Sequence, residues 1–290
     1  MEFVREAANP WGQNVLLGIA WDLMWVALLA GVAFVVVHAI WVMVVAKRSA
    51  PQPAKVSTGA NIPEQVERHS LSSRVFHWGM SLAMLALLIT AFVPVMGWQF
   101  PWVTIHWVAG VLLIALIVYH VIRATFWQDL WAMWIGKDDV AELKAGMKQI
   151  MGSSVAAPKA AKYPVDHKMF HHAAAVAGVG AIATGLLMLL RIDTVFWQPN
   201  QYVLSDGTWG FVYVIHGLSG VALITLVITH IYFAIRPEKW WITKSMIYGW
   251  ISREKYLEHH DPAKWAVGGP AAPVAAGADA PPQDQPVGHA

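Results

Sequence analysis

Residues 214–232 read VIHGLSGVALITLVITHIY, an apolar run that carries two histidines fourteen residues apart. A transmembrane helix needs ~20 mostly apolar residues, so this run is long enough to cross a bilayer. Fourteen helical residues rise ~21 Å and make almost four whole turns. His216 and His230 are therefore expected near opposite membrane faces, on the same side of one helix. Because an ionisable side chain in hydrocarbon is costly, both histidines are candidate functional residues.

The rest of the chain has the composition of a membrane protein. It has 290 residues, of which 57% are hydrophobic and 13% charged, and it includes 17 tryptophans, which favour membrane interfaces. We predict an all-α integral membrane helical bundle with five transmembrane helices, at residues 23–46, 75–97, 102–122, 170–190 and 210–235. The chain has no cysteine, which excludes disulfides, thiolate-held iron–sulfur clusters and thioether-attached haem in this subunit.

The basic residues predict the orientation of the chain. Eighteen of the twenty lysines and arginines fall between spans one and two, between spans three and four, or after span five. These segments share one side of the membrane, and the positive-inside rule makes that side cytoplasmic. Arg5 and Arg191 alone remain outside. We therefore expect the N-terminus outside and the C-terminus in the cytoplasm.

Two segments outside the spans have recognisable patterns. Residues 139–151 (DVAELKAGMKQIM) have helical periodicity with charges on one face, which predicts a cytoplasmic helix that either lies on the membrane or a partner or is simply solvated. Residues 266–290 are rich in Pro, Ala and Gly and are predicted to be a disordered tail.

Span three repeats the arrangement of span five, because His106 and His120 are also fourteen residues apart, in IHWVAGVLLIALIVYH. Two helices that run in the same direction, each with a histidine near both ends, can hold two stacked haems by bis-imidazole ligation. Gly110 lies one turn after His106 and Gly220 one turn after His216. A missing side chain there would let a flat macrocycle approach the backbone.

His77, early in span two, is expected at the same depth as His120 and His230. Three histidines then compete for the two places on the inner haem, and spacing alone leaves the choice open. Two other interpretations remain: packing histidines that only form hydrogen bonds, or a proton or metal-ion path. Such paths usually recruit carboxylates, and spans two to five contain none. Five further histidines are expected in other roles. His38 is expected to pack against span two or to bond to a backbone carbonyl. Four others are expected to be interfacial or solvated: His171, His172, His259 and His260.

Several motifs in order resemble one family. They are RVFHW at 74–78, IHWVAG at 105–110, KYPVDHKMFH at 162–171, ATGLLMLLR at 183–191, IHGLSG at 215–220 with THIY at 229–232, KSMIYGWIS at 244–252 and HHDPAKW at 259–265. The chain is similar to the cytochrome b (gamma) subunit of membrane-bound formate dehydrogenases, and more distantly to cytochrome b subunits of hydrogenases. The resemblance covers residues 65–265. It implies a four-helix di-haem cytochrome b domain with a cytoplasmic loop at 124–168, preceded by an extra transmembrane span within residues 1–50.

The resemblance also implies roles for individual residues. His106 and His216 would ligate the outer haem b, and His77 and His230 the inner haem b, with His120 as the alternative to His77. Arg74 and Arg123 lie at the inner interface, where a guanidinium can pair with haem propionates. A quinone site is implied near the inner haem. There the chain reads Tyr163-Pro164-Val165-Asp166-His167-Lys168, where one family member carries an Asn-Ala-Gly-Gln pattern. Asp166, His167 and Lys168 are the candidate quinone residues, and Asp166 with His167 form a chemically sensible proton-donating pair.

The implied function is electron transfer rather than substrate catalysis. Electrons would pass from an iron–sulfur beta subunit, itself served by a molybdopterin or tungstopterin alpha subunit, to a quinone at the cytoplasmic face of the bacterial inner membrane. One alternative is the cytochrome b subunit of an uptake hydrogenase or another molybdenum oxidoreductase. Another, of a different class, is a haem-free membrane anchor or transporter.

Overall fold

The computed structural model describes residues 2–44, 62–150 and 158–267. The described helices are α1 (Asp22–Val44), α2 (Leu71–Phe92), α3 (Trp102–Trp127), α4 (Lys137–Ile150), α5 (Val165–Leu189), α6 (Asp206–Ile235), α7 (Trp240–Tyr248) and α8 (Arg253–His259). Two small antiparallel sheets accompany them: β1 (Val4–Ala8) pairs with β2 (Asn14–Ile19), and β3 (Gln65–Glu67) pairs with β4 (Trp250–Ser252). The predicted tail at 266–290 lies almost wholly outside the described residues.

Five of the described helices are long and apolar enough to cross a membrane, which confirms the predicted all-α membrane bundle. They are α1, α2 with the 3₁₀ turn Val93–Met96 that continues it, α3, α5 and α6. Helices α2, α5 and α6 begin four or five residues before the predicted limits, and α3 ends five residues after its predicted limit. Polar caps account for the early starts of α2 and α6. Ser70 caps α2 by accepting the N–H of Ser73, and Ser205 caps α6 by accepting the N–H of Thr208.

The bundle consists of two tightly packed helix pairs, α2 with α3 and α5 with α6, and most helix–helix contacts lie within a pair. Small residues permit the close packing of α5 on α6: a side chain on Gly180 would come within 2.7 Å of Ser219 Oγ. Far fewer contacts join one pair to the other. The space between the pairs is where the histidines lie.

Helix α1 and the β1–β2 hairpin pack on α6. In α1, Gly31 faces the side chain of Ile228, and Thr225 donates to the Ala27 carbonyl at 3.2 Å. The hairpin was not predicted. Its second strand, β2, is a short apolar run just before a span, and its first strand, β1, is polar, so neither has the pattern of a strand on its own. The expectation that His38 packs on span two or on a backbone carbonyl is wrong. Its Nδ1 lies 3.0 Å from the hydroxyl of Tyr232 and 3.0 Å from Arg236 Nη1, both at the end of α6.

The hairpin defines one end of the bundle, which we call the hairpin end. The opposite end, the cap end, carries β3, β4 and α8, whose apolar side chains form a small core around Val66, Ile251 and Tyr256. Gly249 ends α7 with φ +95°, a conformation that favours glycine. Its carbonyl accepts the N–H groups of Arg68 and His69 at 2.8 and 3.0 Å, which ties the start of α2 to this cap.

The loop predicted at 124–168 needs correction at both ends. Helix α3 continues to Trp127, and α5 already begins at Val165 after Pro164, because proline is well suited to a helix start. Asp166, His167 and Lys168 therefore lie in the first turn of a helix. The predicted helix at 139–151 is confirmed as α4, which starts two residues earlier and packs on α5 of the same chain.

Candidate functional site

Four histidines form two facing pairs between the helix pairs. At the hairpin end, the ring centroids of His106 on α3 and His216 on α6 are 6.1 Å apart. At the cap end, those of His77 on α2 and His230 on α6 are 6.3 Å apart. Both pairs share α6, so the fourteen-residue spacing of His216 and His230 sets the distance between the two sites along the bundle.

This ring spacing fits one metal ion between each pair. A metal–imidazole bond is ~2 Å long, and a ring centroid lies roughly 1 Å behind the bonding nitrogen, so two rings on opposite sides of one ion are about 6 Å apart. Among the described residues, no group of three or more His, Asp or Glu side chains converges as a metal site. Two nitrogen ligands suit haem iron, since the macrocycle supplies the other four.

His120 lies elsewhere. Its ring stacks on Phe76, with centroids 4.3 Å apart and planes 9° apart. Phe76 and His77 are neighbours on α2 and point in different directions, so a histidine stacked on Phe76 is turned away from the His77–His230 pair. Spacing alone left both His77 and His120 as candidates for this site. In the structure, His77 is the histidine that faces His230.

The hairpin-end pair is held by threonines. His106 Nδ1 lies 2.7 Å from Thr90 Oγ1 on α2, and His216 Nδ1 lies 3.0 Å from Thr184 Oγ1 on α5. Both threonines are buried, with 2% and 6% of their surface exposed. Because Nδ1 is engaged in both rings, Nε2 is the nitrogen left for a ligand.

The cap-end pair is held differently. His77 Nδ1 is buried and has no hydrogen-bond partner in the described part of the chain. His230 stacks on Phe170, with centroids 5.0 Å apart and planes 25° apart. An orphaned, buried imidazole nitrogen is costly in a folded protein, and a ligand between the rings would remove that cost.

Glycines leave room beside the histidines. A side chain added at Gly220, one turn after His216, would meet nothing within 4 Å, and the same holds at the buried Gly178 of α5. At Gly110 it would reach only Leu87, at 3.9 Å. Together with the sparse contacts between the helix pairs, this open space and the two donors at each site fit a haem.

Four arginines at the cap end have a buried Nε without a partner among the described residues: Arg68, Arg74, Arg123 and Arg253. Arg253 also pairs through Nη1 with Glu64 Oε1 at 3.0 Å. Arg74 also donates from Nη1 to the Ile247 carbonyl at 2.6 Å, and Arg123 lies over the ring of Trp127. Arg68 was not singled out by sequence, because nothing in its neighbourhood marks it as buried. Unsatisfied guanidinium groups fit an anionic group such as a haem propionate.

Arg68 is only 2% exposed, and burial lowers its pKa to about 10, so the guanidinium is still charged at neutral pH. It donates from Nη1 to His260 Nε2 at 3.3 Å. The expectation that His260 is interfacial or solvated is wrong, since its side chain is fully buried. Its Nδ1 donates to the Ala161 carbonyl at 2.7 Å, and burial, with Arg68 nearby, lowers its pKa to about 4.

The predicted quinone residues lie together in the first turn of α5. The Asp166 carboxylate accepts the N–H of His167 at 2.9 Å and lies 3.5 Å from Lys239 Nζ. Lys168 points to α4 instead: its buried ammonium lies 2.9 Å from Asp139 Oδ2 and donates to the Trp134 carbonyl at 3.2 Å. Next to this ion pair, Glu142 accepts the N–H of Val165 at 3.4 Å, and burial raises its pKa.

A comparison with protein families agrees with this geometry. A model of the prokaryotic cytochrome b561 family matches residues 68–249, which include all four facing histidines. The chain belongs to the prokaryotic cytochrome b561 family. Members of this family are membrane helical bundles that bind haem b, typically two haems per chain. The chain is therefore a multi-pass membrane protein that transfers electrons through haem b. The match leaves out the β1–β2 hairpin, α1, the β3–β4 sheet and α8. No curated protein matches the chain significantly.

Proposed function

We propose that this cytochrome is a di-haem b subunit that passes electrons from an iron–sulfur partner to a quinone, as in respiratory formate dehydrogenase. The observation that carries the proposal is the presence of two histidine pairs, near opposite ends of the bundle, joined by α6. Haem b, when bound, supplies a one-electron carrier at each pair. His106 and His216 would hold the haem at the hairpin end, and His77 and His230 would hold the haem at the cap end.

The chain's own residues are arranged to bind and orient such groups. The imidazoles of each pair come from two different helices, so ligation also ties α6 to α3 at one end and to α2 at the other. Arg74 and Arg123 lie at the cap end with unsatisfied Nε groups, which supports their role as propionate partners.

Quinone reduction consumes two electrons and two protons, so a quinone site needs a proton donor. Asp166 and His167 are adjacent titratable groups at the start of α5, at the same end of the bundle as the His77–His230 pair. They supply protons to the reduced quinone, and Glu142, which accepts the N–H of Val165 and has a raised pKa, is a further proton-carrying group beside them. The ammonium of Lys168, held by Asp139, fixes the start of α5 against α4.

The charge pattern supports the direction proposed for this transfer. Eighteen of twenty basic residues fall between spans one and two, between spans three and four, or after span five. The described parts of these segments lie at the cap end, so the cap end is the cytoplasmic one under the positive-inside rule. The hairpin end then faces the iron–sulfur beta subunit and its molybdopterin or tungstopterin alpha subunit across the bacterial inner membrane. Electrons that move toward the cytoplasmic side and protons that are consumed on that side would together separate charge across the membrane.

The test is the haem b content per chain of the purified protein, from a pyridine haemochrome assay with a reduced-minus-oxidised spectrum. We expect two haems in the unmodified protein and one in a His106→Ala or His216→Ala variant. A correctly folded but colourless protein would overturn the proposal and favour the haem-free anchor or transporter. The subunits that co-purify with the chain decide between a formate dehydrogenase and a hydrogenase or other molybdenum enzyme.

A further inference from the structure

The two histidines of the hairpin end are anchored in equivalent ways. Thr90 of α2 lies against His106 of α3, and Thr184 of α5 lies against His216 of α6. In each case the threonine comes from the other member of the tightly packed helix pair. The anchoring therefore occurs once within α2–α3 and once within α5–α6.

The surrounding carbonyls indicate where the hydrogens lie. Thr90 Oγ1 is 2.7 Å from the Ala86 carbonyl, and Thr184 Oγ1 is 2.6 Å from the Gly180 carbonyl. A hydroxyl has one hydrogen to donate, and in both threonines a carbonyl oxygen is in position to receive it. The hydroxyl oxygen is then an acceptor for the Nδ1–H of the histidine.

A second contact supports this assignment for His216. Its Nδ1 is also 3.2 Å from the Ala181 carbonyl, and a carbonyl can only accept. Nδ1 must therefore carry the hydrogen, and Nε2 has the free lone pair. Since both threonines are buried, their oxygen atoms are the acceptors at hand, and bulk water is not.

The cap-end pair has no such anchor in the described residues. His77 Nδ1 is buried without a partner, and His230 rests on the face of Phe170. A hydrogen bond that accepts from the distal N–H of a ligating imidazole makes the ligand more basic, and second-shell bonds of this kind tune haem potentials. A more basic ligand favours ferric over ferrous iron and lowers the potential.

We propose that Thr90 and Thr184 are positioning residues that hold His106 and His216 with Nε2 free, and that they lower the midpoint potential of the hairpin-end haem below that of the cap-end haem. This inference rests on the proposed di-haem function. It gives the chain a built-in direction, because electrons then move to higher potential from the hairpin end to the cap end.

The arginines near the two sites do not reverse this order of the two midpoint potentials. At the hairpin end, Arg191 contacts the hydroxyl of Tyr213, one turn before His216. At the cap end, Arg74 lies one turn before His77, and Arg68 and Arg123 lie at the same end of the bundle. A positive charge near a haem raises its potential, so the larger number of arginines at the cap end acts in the same direction as the missing hydrogen bonds.

The test is a redox titration of the purified full-length di-haem protein, followed by visible spectroscopy. Thr90→Val is the main variant, since it removes the hydroxyl that accepts from His106 Nδ1 and keeps the shape. The Leu87 carbonyl stays near His106 in this variant, and the Ala181 carbonyl stays bonded to His216 in Thr184→Val. We expect the lower of the two midpoints to shift upward and the higher one to stay. Thr90→Ser, which keeps a hydroxyl, should restore the lower midpoint. The control is Thr125→Val, because the Thr125 hydroxyl donates to the Val121 carbonyl and lies far along α3 from His106.

A second measurement keeps the test decisive if Thr90→Val loses haem. In His106→Ala only the cap-end haem should remain, and we expect it to titrate at the higher midpoint of the unmodified protein. A remaining midpoint at the lower value, or a Thr90→Val protein with two haems and unchanged midpoints, would overturn the inference while leaving the di-haem function intact. A protein that binds no haem would instead overturn the proposed function itself.

Discussion

His216 and His230 lie on one helix and one side of it, yet different contacts hold their rings. His216 donates from Nδ1 toward Thr184 and Ala181, whereas His230 stacks on Phe170. The partners come from α5 in both cases. The difference between a hydrogen-bonded and a stacked imidazole is therefore set by which residue of α5 lies opposite each histidine.

The choice between His77 and His120 is a prediction at this scale. We expect His77→Ala to lose the cap-end haem, which leaves one haem per chain, because His77 is the histidine that faces His230. The matched control is His120→Ala, which removes only a ring stacked on Phe76 and should keep two haems. The pyridine haemochrome assay measures both. A His120→Ala protein with one haem and a His77→Ala protein with two would contradict the assignment.

The buried His260 makes the cap end sensitive to acid. Its pKa is about 4 in the folded chain, whereas an unfolded histidine has a pKa of ~6.5. Between these values the unfolded state binds more protons, so stability falls as the pH is lowered from about 6.5 to 4. Protonation would also put a donor on Nε2, where Arg68 now donates. Each pKa unit corresponds to ~1.4 kcal/mol, so the loss is at most about 3.5 kcal/mol.

This loss is measured by hydrogen exchange of residues 253–265 as a function of pH. We expect lower protection factors, that is, faster exchange relative to the intrinsic rate at each pH, below about pH 6 in the unmodified protein and a weaker pH dependence in His260→Gln, whose side chain stays neutral. Some dependence should persist, because burial also lowers the pKa of His69, to about 3. Equal pH dependence in both proteins would show that His260 is not the responsible group.

At the scale of elements, α6 is the organising helix. It carries one histidine of each pair, it packs on α5 and α1, and its hairpin-end half receives β2. Glycines make this possible: a side chain on Gly217 would lie 2.8 Å from Ile19, and one on Gly210 would lie 2.9 Å from the Leu16 carbonyl. The hairpin thus contacts the same helix turns that carry His216.

Gly210→Ala tests whether this contact stabilises the bundle. In an open helix, alanine is favoured over glycine by up to ~1 kcal/mol. At Gly210, however, the added Cβ would lie 2.5 Å from Leu16 Cβ and 2.9 Å from its backbone oxygen, and backbone cannot move aside cheaply. Overpacking of this kind costs ~1–3 kcal/mol, so we expect a lower thermal unfolding midpoint in detergent.

Gly207→Ala is the matched control, because its added Cβ would meet nothing within 4 Å. Its midpoint should be unchanged or slightly raised. If Gly210→Ala were as stable as Gly207→Ala, the hairpin would not be packed on α6 as described.

At the scale of the whole molecule, the chain combines a family unit with an addition. Residues 68–249 match the family and contain both histidine pairs, whereas the hairpin and α1 precede the match and cover one side of α6. This addition gives the described chain an odd number of spans. Its first described residues and its cap end consequently lie on opposite sides of the membrane.

The proposed orientation can be measured with reporter fusions. We expect a periplasmic reporter, such as alkaline phosphatase, to be active at the β1–β2 turn near Gly12 and in the loop 193–200. A cytoplasmic reporter, such as a fluorescent protein, should be active in the segment 128–136 and after residue 267. The physical reason is the concentration of lysine and arginine in residues 123–168 and 236–264, within or next to which the cytoplasmic reporter is placed. The reverse pattern at all four sites would contradict the orientation and, with it, the direction of electron transfer.

The sequence by itself determined the membrane class, the five spans and the histidines at their ends. Apolar length and helical periodicity are local properties, so they can be read from residues close together in the chain. The same holds for α4, which could be predicted from its helical periodicity alone. The ends of the helices were less certain, because Ser70, Pro164 and Ser205 extend them through capping that hydropathy does not register.

Only the tertiary structure decided which side chains meet. Thr90 and His106 are sixteen residues apart, Thr184 and His216 thirty-two, and Arg68 and His260 192, and no local pattern distinguishes these threonines from those that bond only to their own helix. The same limit applies to His77 against His120 and to the packing of His38 on α6. Helix rotation and the pairing of helices determine such contacts, and both depend on the packing of distant segments against each other.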